Sequence, residues 1–124
     1  MLSQKLTSVP LLAESERPAW FTYPRDFIRL VETGLTRFPP WRIIEATSAV
    51  TRMNGLRERY PNRELVPFAT RLDCDDLACW EKGKMPMVIV IHDFASSGWE
   101  QRSSFEGVWD WFRSAINDFI DFDG

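Results

Sequence analysis

The stretch that decides the fold spans residues 65–94 and reads LVPFATRLDCDDLACWEKGKMPMVIVIHDF. Short runs rich in β-branched and aromatic residues alternate there with turn residues, a pattern typical of consecutive strands. It predicts strands at residues 65–71, 77–81 and 86–92, joined by an acidic loop at 72–76 and a hairpin turn at 82–84. Pro67 places the first strand at a sheet edge or at a bulge. The last strand is apolar on both sides, so we expect a sheet covered on both faces.

Outside this stretch, apolar residues at helical spacing predict three helices. The first covers residues 24–33, because Pro24 suits a first turn and Gly34 suits a stop. The second begins with Thr47 or Ser48 as its cap and extends to about Tyr60, after a short strand at residues 41–45. Its expected apolar face is Val50, Met53, Leu56 and Tyr60.

The C-terminal part is predicted as a polar loop at residues 93–102 followed by a long helix. Ser103 or Ser104 would cap this helix, which would end near Asp121. Helical spacing predicts its buried face as Phe105, Val108, Trp109, Phe112, Ala115 or Ile116, Phe119 and Ile120. The whole pattern predicts an α+β fold, in which a mainly antiparallel sheet of about four to six strands is flanked by three helices.

The chain has the length of one ordinary domain, with 124 residues. We expect a single domain at 1–124, with an N-terminal approach segment at 1–22 and a core at about 23–121. Hydrophobic residues make up 44% of the chain, which is enough for a core without disulfides or metal. No apolar run has the length of a signal peptide or a membrane span, so we expect a cytoplasmic protein that does not enter the membrane.

Charge is distributed unevenly along the chain. Residues 1–72 carry a net charge of +4 and residues 73–124 a net charge of −7. The acidic C-terminal half argues against binding of nucleic acid, whose phosphates require basic contacts. The same acidic half permits a basic protein partner.

Four carboxylates, Asp73, Asp75, Asp76 and Asp93, could lie close together, because the two loops that carry them sit at one end of neighbouring strands. A cluster of this kind would suit Mg²⁺ or Ca²⁺. However, DCDD lacks the spacing of a calcium loop, and aspartate is common in ordinary turns. We therefore predict no metal and no cofactor.

His92 and Asp93, with Ser96 and Ser97 nearby, suggest a catalytic triad. No Gly-x-Ser-x-Gly elbow is present, and neighbouring residues of a strand point to opposite faces. Cys74 or Cys79 with His92 is no better specified as a nucleophilic pair. The sequence therefore predicts a protein that is not an enzyme.

Tryptophan is the residue type that most favours a protein interface here. Trp80, Trp99 and Trp111 are the candidates. Trp111 lies about 100° from Phe112 on the helical wheel, so it is either a partly exposed anchor or a residue at the margin of the core.

Several motifs of the chain, in their order, resemble those of the SUKH superfamily, the cell-wall-assembly-regulator-like proteins that include many bacterial immunity proteins. The motifs are YPRDF, VPFA, the acidic DCDD loop, ACW, VIVIHDF and SSFEGVWDWF. The resemblance covers residues 23–121 and implies an α+β fold. It also implies a non-enzymatic role, in which the protein binds and neutralises a cognate polymorphic toxin, often a nuclease.

These observations together predict an acidic surface that binds a basic toxin domain. Its expected residues are Asp73, Asp75, Asp76, Trp80, Asp93, Trp99, Glu100 and Trp111. Two alternatives stay open: a regulatory module that binds a peptide or small ligand, and a carboxylate-dependent hydrolase.

Overall fold

The structure is a computed structural model that describes residues 9–122. Six strands form one antiparallel sheet in the order in which they occur along the chain. They are β1 (Arg37–Phe38), β2 (Trp41–Ile43), β3 (Leu65–Arg71), β4 (Asp76–Glu81), β5 (Val88–His92) and β6 (Gln101–Phe105). Three α-helices in this part of the chain pack on the sheet: α1 (Arg25–Glu32), α2 (Ala46–Arg59) and α3 (Val108–Asp121). The predicted α+β class is confirmed.

The central strands lie close to their predicted positions. In β3, the register with β4 shifts between Pro67 and Ala69, so the proline sits at a bulge. The alternative that β3 is an edge strand is wrong, because β3 pairs with both β2 and β4. β5 begins at Val88, two residues later than predicted, because the residues before it belong to the turn that follows β4.

Both faces of the sheet are covered, as the apolar pattern of β5 predicts. On one face, Val88 and Val90 join a core cluster that includes Trp80 of β4, together with residues of α1 and α3. On the other face, Ile89 and Ile91 pack with a second cluster to which α2 and its C-terminal end contribute Leu56 and Tyr60. Alternation along a strand explains this division, because successive side chains point to opposite faces.

The first two helices follow their predicted apolar spacing. In α1, Phe27, Leu30 and Val31 are buried, and Gly34 adopts a φ of +83° just after the helix. In α2, Met53 and Leu56 are buried as expected, but the helix begins at Ala46, before Thr47 and Ser48. The predicted strand at 41–45 is shorter, and it pairs with β1, which the sequence did not predict.

The C-terminal prediction is wrong in one respect. Residues 101–105 form β6 instead of the end of a loop and the start of a helix, and α3 begins only at Val108. Four of the five residues of β6 are exposed and polar, so no alternating apolar pattern marks the strand. Because the pairing of β6 with β5 is a backbone property, side-chain periodicity does not reveal it.

The face that α3 buries also differs from the prediction. Val108, Trp111 and Ala115 are buried, while Trp109 and Phe112 are only partly buried. Phe119 and Ile120, expected in the core, are exposed.

The N-terminal approach segment is described in part. Residues 1–8 lie outside the described residues. From residue 9 to residue 22 the chain is a loop with a 3₁₀ turn at Glu14–Glu16. Leu12 and Phe21 are buried in the main core cluster, so this loop packs against the domain.

Candidate functional site

Two loops meet at one end of the sheet. Residues 72–75 connect β3 to β4, and residues 93–100 connect β5 to β6. The backbone N–H of Asp93 donates a hydrogen bond of 3.0 Å to the carbonyl of Asp75. The prediction that the two loops adjoin is therefore confirmed, and we call these two loops together the loop edge.

The four aspartates of the loop edge and its flanks do not point toward a common centre. Asp73 forms a bidentate pair with Arg71, whose hydrogen bonds lower the pKa of the Asp73 carboxyl. Asp76 Oδ1 lies 2.7 Å from His92 Nδ1, and Asp75 is exposed. Asp93 is fully buried and faces α2. Within residues 9–122, no group of three or more His, Cys, Asp or Glu side chains is arranged to hold a metal ion.

Asp93 is bound by an arginine of α2. Arg59 Nε and Nη2 lie 2.7 Å from Asp93 Oδ1 and Oδ2, and Arg52 Nη1 lies 3.6 Å from Oδ2. The hydrogen bonds to Asp93 raise the pKa of Arg59. Asp93 Oδ1 also accepts the backbone N–H of Phe94 at 2.9 Å. Asp93 is therefore a buried anchor of the loop and has no surface to offer a partner.

Glu100 is buried in a similar way. Arg63 donates to Glu100 at 3.0 Å and holds Glu81 through two hydrogen bonds of 2.7 and 2.9 Å. Burial by itself raises the pKa of both glutamates, but the hydrogen bonds outweigh it, so each pKa is lowered. Glu100 also accepts the backbone N–H of Gly98 at 2.7 Å. Its carboxylate therefore fixes the loop from inside.

Trp80 and Trp111 lie in the core. The ring of Trp80 stacks on Phe68 with centroids 4.3 Å apart, and Trp111 contacts Phe68 and Trp41 edge to face. Both alternatives for Trp111, a partly exposed anchor and a residue at the margin of the core, are wrong, since only 1% of its surface is accessible. On α3, Trp111 shares the buried face with Val108 and Ala115, and Trp109 lies at the margin of the core.

Trp99 is the one candidate tryptophan that remains at the surface, with 81% of its area exposed. Its backbone N–H donates to the carbonyl of Ser96 at 2.9 Å, which closes a turn in which Gly98 adopts a φ of +97°. The Tyr60 hydroxyl donates to the carbonyl of Ala95 at 2.7 Å. Trp99 is thus presented on a loop that is bonded to the body of the domain.

Phe94 lies on the same loop as Trp99 and was not selected in the sequence analysis. It is 61% exposed and adopts a φ of +70°, a left-handed conformation that is rare for a bulky residue. The guanidinium carbon of Arg59 lies 4.0 Å from the centroid of its ring. The residue follows a buried strand directly, and no local pattern distinguishes it from a core phenylalanine.

His92 and the nearby serines do not form a triad. His92 Nδ1 contacts Asp76 and lies 3.2 Å from Arg102 Nη2. Ser96 and Ser97 are exposed, and no hydrogen bond in the described part of the chain joins either of them to His92. Cys74 and Cys79 are both free thiols, the first exposed and the second buried.

Comparison of the chain with protein-family models, curated proteins and solved structures finds no match in any of the three. Among the helices of residues 9–122, none combines the length and the apolar composition required to cross a membrane.

Proposed function

We propose that this chain is a non-enzymatic protein-binding domain of the immunity type. It binds a cognate polymorphic toxin and neutralises it by covering the toxin's active surface. The toxin class follows from the resemblance to the SUKH superfamily, and the binding surface is argued from the loop edge. No covalent bond is made or broken, because occlusion requires only complementary shape and charge.

The observation that carries this proposal is the exposure of Trp99 and Phe94 on one loop. Large aromatic residues supply most of the binding energy at many interfaces, where single contacts contribute roughly 2 kcal/mol or more. A loop already held in place loses little conformational entropy when it binds. Here Asp93 is bonded to Arg59 and Glu100 to Arg63, at the two ends of the loop.

Charge supports a basic partner. Asp73 and Asp75 are both exposed on the first loop of the loop edge, which is hydrogen-bonded through the Asp75 carbonyl to the loop that carries Phe94 and Trp99. The surface that we propose therefore consists of Asp73, Asp75, Phe94 and Trp99. The other predicted residues are buried and are not part of this surface: Asp76, Trp80, Asp93, Glu100 and Trp111.

The experiment is a pull-down with the product of the neighbouring gene, followed by calorimetry with variants. Trp99→Ala and Phe94→Ala should each weaken binding by about 2 kcal/mol, roughly 30-fold. Phe119→Ala is the matched control, because Phe119 is also exposed but lies on α3. Equal affinities of the wild type and the Trp99→Ala variant for the partner would contradict the proposed binding surface.

A second arm tests charge. Asp75→Lys should slow association with a basic toxin domain and reduce the dependence of the on-rate on salt. Glu32→Lys makes the same charge change at an exposed position of α1 and should have a smaller effect. If both variants slow association equally, the slower association is due to the change in net charge and not to the loss of a carboxylate at the loop edge.

A further inference from the structure

The loop between β5 and β6 contains two tight turns of similar construction. The backbone N–H of the fourth residue donates to the carbonyl of the first, at 3.3 Å in the turn at 92–95 and at 2.9 Å in the turn at 96–99. The third residue of each turn has a positive φ, +70° at Phe94 and +97° at Gly98. Glycine is the usual residue at such a position, because it has no Cβ. Only the second turn follows this rule.

Phe94 is an unfavourable residue at this position. A Cβ in the left-handed region lies too close to the backbone, and within residues 9–122 Phe94 is the one residue other than glycine with a positive φ. The ring adds nothing to the core, since it is 61% exposed and belongs to neither core cluster. Its contact with the Arg59 guanidinium is at the surface, where a cation and a ring attract each other weakly. The stability of the domain alone therefore does not explain a phenylalanine here.

We propose that Phe94 is a partner-contact residue that the fold holds in an unfavourable backbone conformation, so that the same residue strengthens binding and lowers stability. Strained residues of this kind concentrate at binding sites, where the surrounding structure keeps them in place. The preceding residue supplies that constraint here. Asp93 is bonded to Arg59 at 2.7 Å, and its Oδ1 also accepts the backbone N–H of Phe94 at 2.9 Å. This inference rests on the proposed function, because it concerns a contact with the same partner.

The surroundings of the ring indicate which part of the partner it contacts. The guanidinium carbon of Arg59 already lies 4.0 Å from the centroid of the Phe94 ring, so a second cation on this ring would be close to an existing positive charge. An apolar pocket has no such disadvantage, and it gains from removing the exposed ring from water. Phe94 therefore fits an apolar pocket of the partner, and the partner's basic groups are left to Asp73 and Asp75.

The backbone part of this inference can be tested without the partner, by thermal melting. Phe94→Gly should melt about 3 °C or more above Phe94→Ala, because both variants lack the ring and only glycine removes the left-handed crowding. Gly98→Ala calibrates the comparison, since a Cβ at position 98 would meet no atom within 4 Å, and it should lower the melting temperature by a similar amount. Ser97 is the matched control, because it lies in the same loop without a positive φ. Ser97→Gly should therefore melt below Ser97→Ala.

Calorimetry with the product of the neighbouring gene tests the ring itself. Phe94→Gly and Phe94→Ala should bind equally weakly, roughly 30-fold below the wild type, although they differ in stability. Phe94→Leu should lose less than about fivefold, because leucine keeps most of the apolar surface. If a cation of the partner stacked on the ring, leucine would bind as weakly as alanine. Circular dichroism confirms that each variant is folded at the temperature of the titration.

The outcomes separate this inference from the proposed function. A melting temperature of Phe94→Gly that does not exceed that of Phe94→Ala overturns the inference, and so does a leucine variant that binds as weakly as the alanine variant. If all three Phe94 variants bind like the wild type while Trp99→Ala weakens binding, the inference falls and the proposed function stands. If Trp99→Ala also leaves binding intact, the proposed surface falls with it.

Discussion

Arg59 of α2 and Asp93, which directly follows β5, form a bidentate ion pair with two N–O distances of 2.7 Å, and the aspartate has no exposed surface. The pair ties the helix to the first residue of the loop that presents Phe94 and Trp99. The same guanidinium lies against the exposed ring of Phe94. One arginine thus connects the core to the proposed binding surface.

Replacing Arg59 by methionine should destabilise the protein by about 3 kcal/mol, because it leaves the buried Asp93 carboxylate without its main partner. Urea denaturation measures the free energy of unfolding. Arg57→Met on the same helix is the matched control, since Arg57 is exposed, and it should change stability by less than about 0.5 kcal/mol. Similar losses for the two variants would contradict a special role of the pair.

Gly55→Ala should destabilise the protein, although alanine is normally better in a helix by about 1 kcal/mol. A Cβ at position 55 would collide with the guanidinium of Arg59 and push it away from Asp93. We expect a net loss of about 1–2 kcal/mol in urea denaturation. In the Arg59→Met background the collision is gone, so the sign should reverse and Gly55→Ala should stabilise.

Arg63 should determine how stability responds to acid. In the wild type, Glu81 and Glu100 have pKa values below the ordinary 4.5, so their contribution is present above pH 4.5 and is lost as the pH falls through the folded-state pKa. In Arg63→Met, burial remains but the hydrogen bonds from Arg63 are lost, so the pKa of each glutamate rises relative to the wild type. The variant's destabilisation should therefore become smaller as the pH is lowered from about 7 to 4.

The measurement for Arg63 is a series of urea denaturations of the variant and the wild type at each pH. Arg57→Met serves again as the control and should show a difference from the wild type that does not depend on pH. A destabilisation by Arg63→Met that stays constant, or grows, on acidification would contradict the assigned hydrogen bonds.

The two cysteines should react at very different rates. Cys74 is exposed in the first loop of the loop edge, whereas Cys79 is fully buried in β4. Burial also raises the pKa of the Cys79 thiol, which removes the reactive thiolate. A maleimide should label one thiol in the native protein and both in urea, and Cys74→Ser should abolish native labelling. Native labelling of Cys79 would indicate that β4 opens locally.

The elements with strong local patterns were predictable. β3, β4 and β5 are short runs rich in β-branched and aromatic residues, and turn residues separate them. In α1, apolar residues recur at helical spacing and a glycine follows the helix. β6 was not predictable, because its side chains are mostly polar and show no alternating pattern. The strand is joined to the sheet by backbone pairing with β5. The buried face of α3 was also predicted only in part, because Trp111 is buried there while Trp109 and Phe112 are partly buried.

The sequence by itself determined the class of fold and the adjacency of the two loops, because these follow from local periodicity and from antiparallel connection. Only the tertiary structure decided which acids and tryptophans reach the surface. Asp93 is buried by Arg59 and Glu100 by Arg63, each from more than 30 positions away in the chain. Burial depends on such distant partners, so residues that look alike in the sequence, such as Trp99 and Trp111, end in opposite environments.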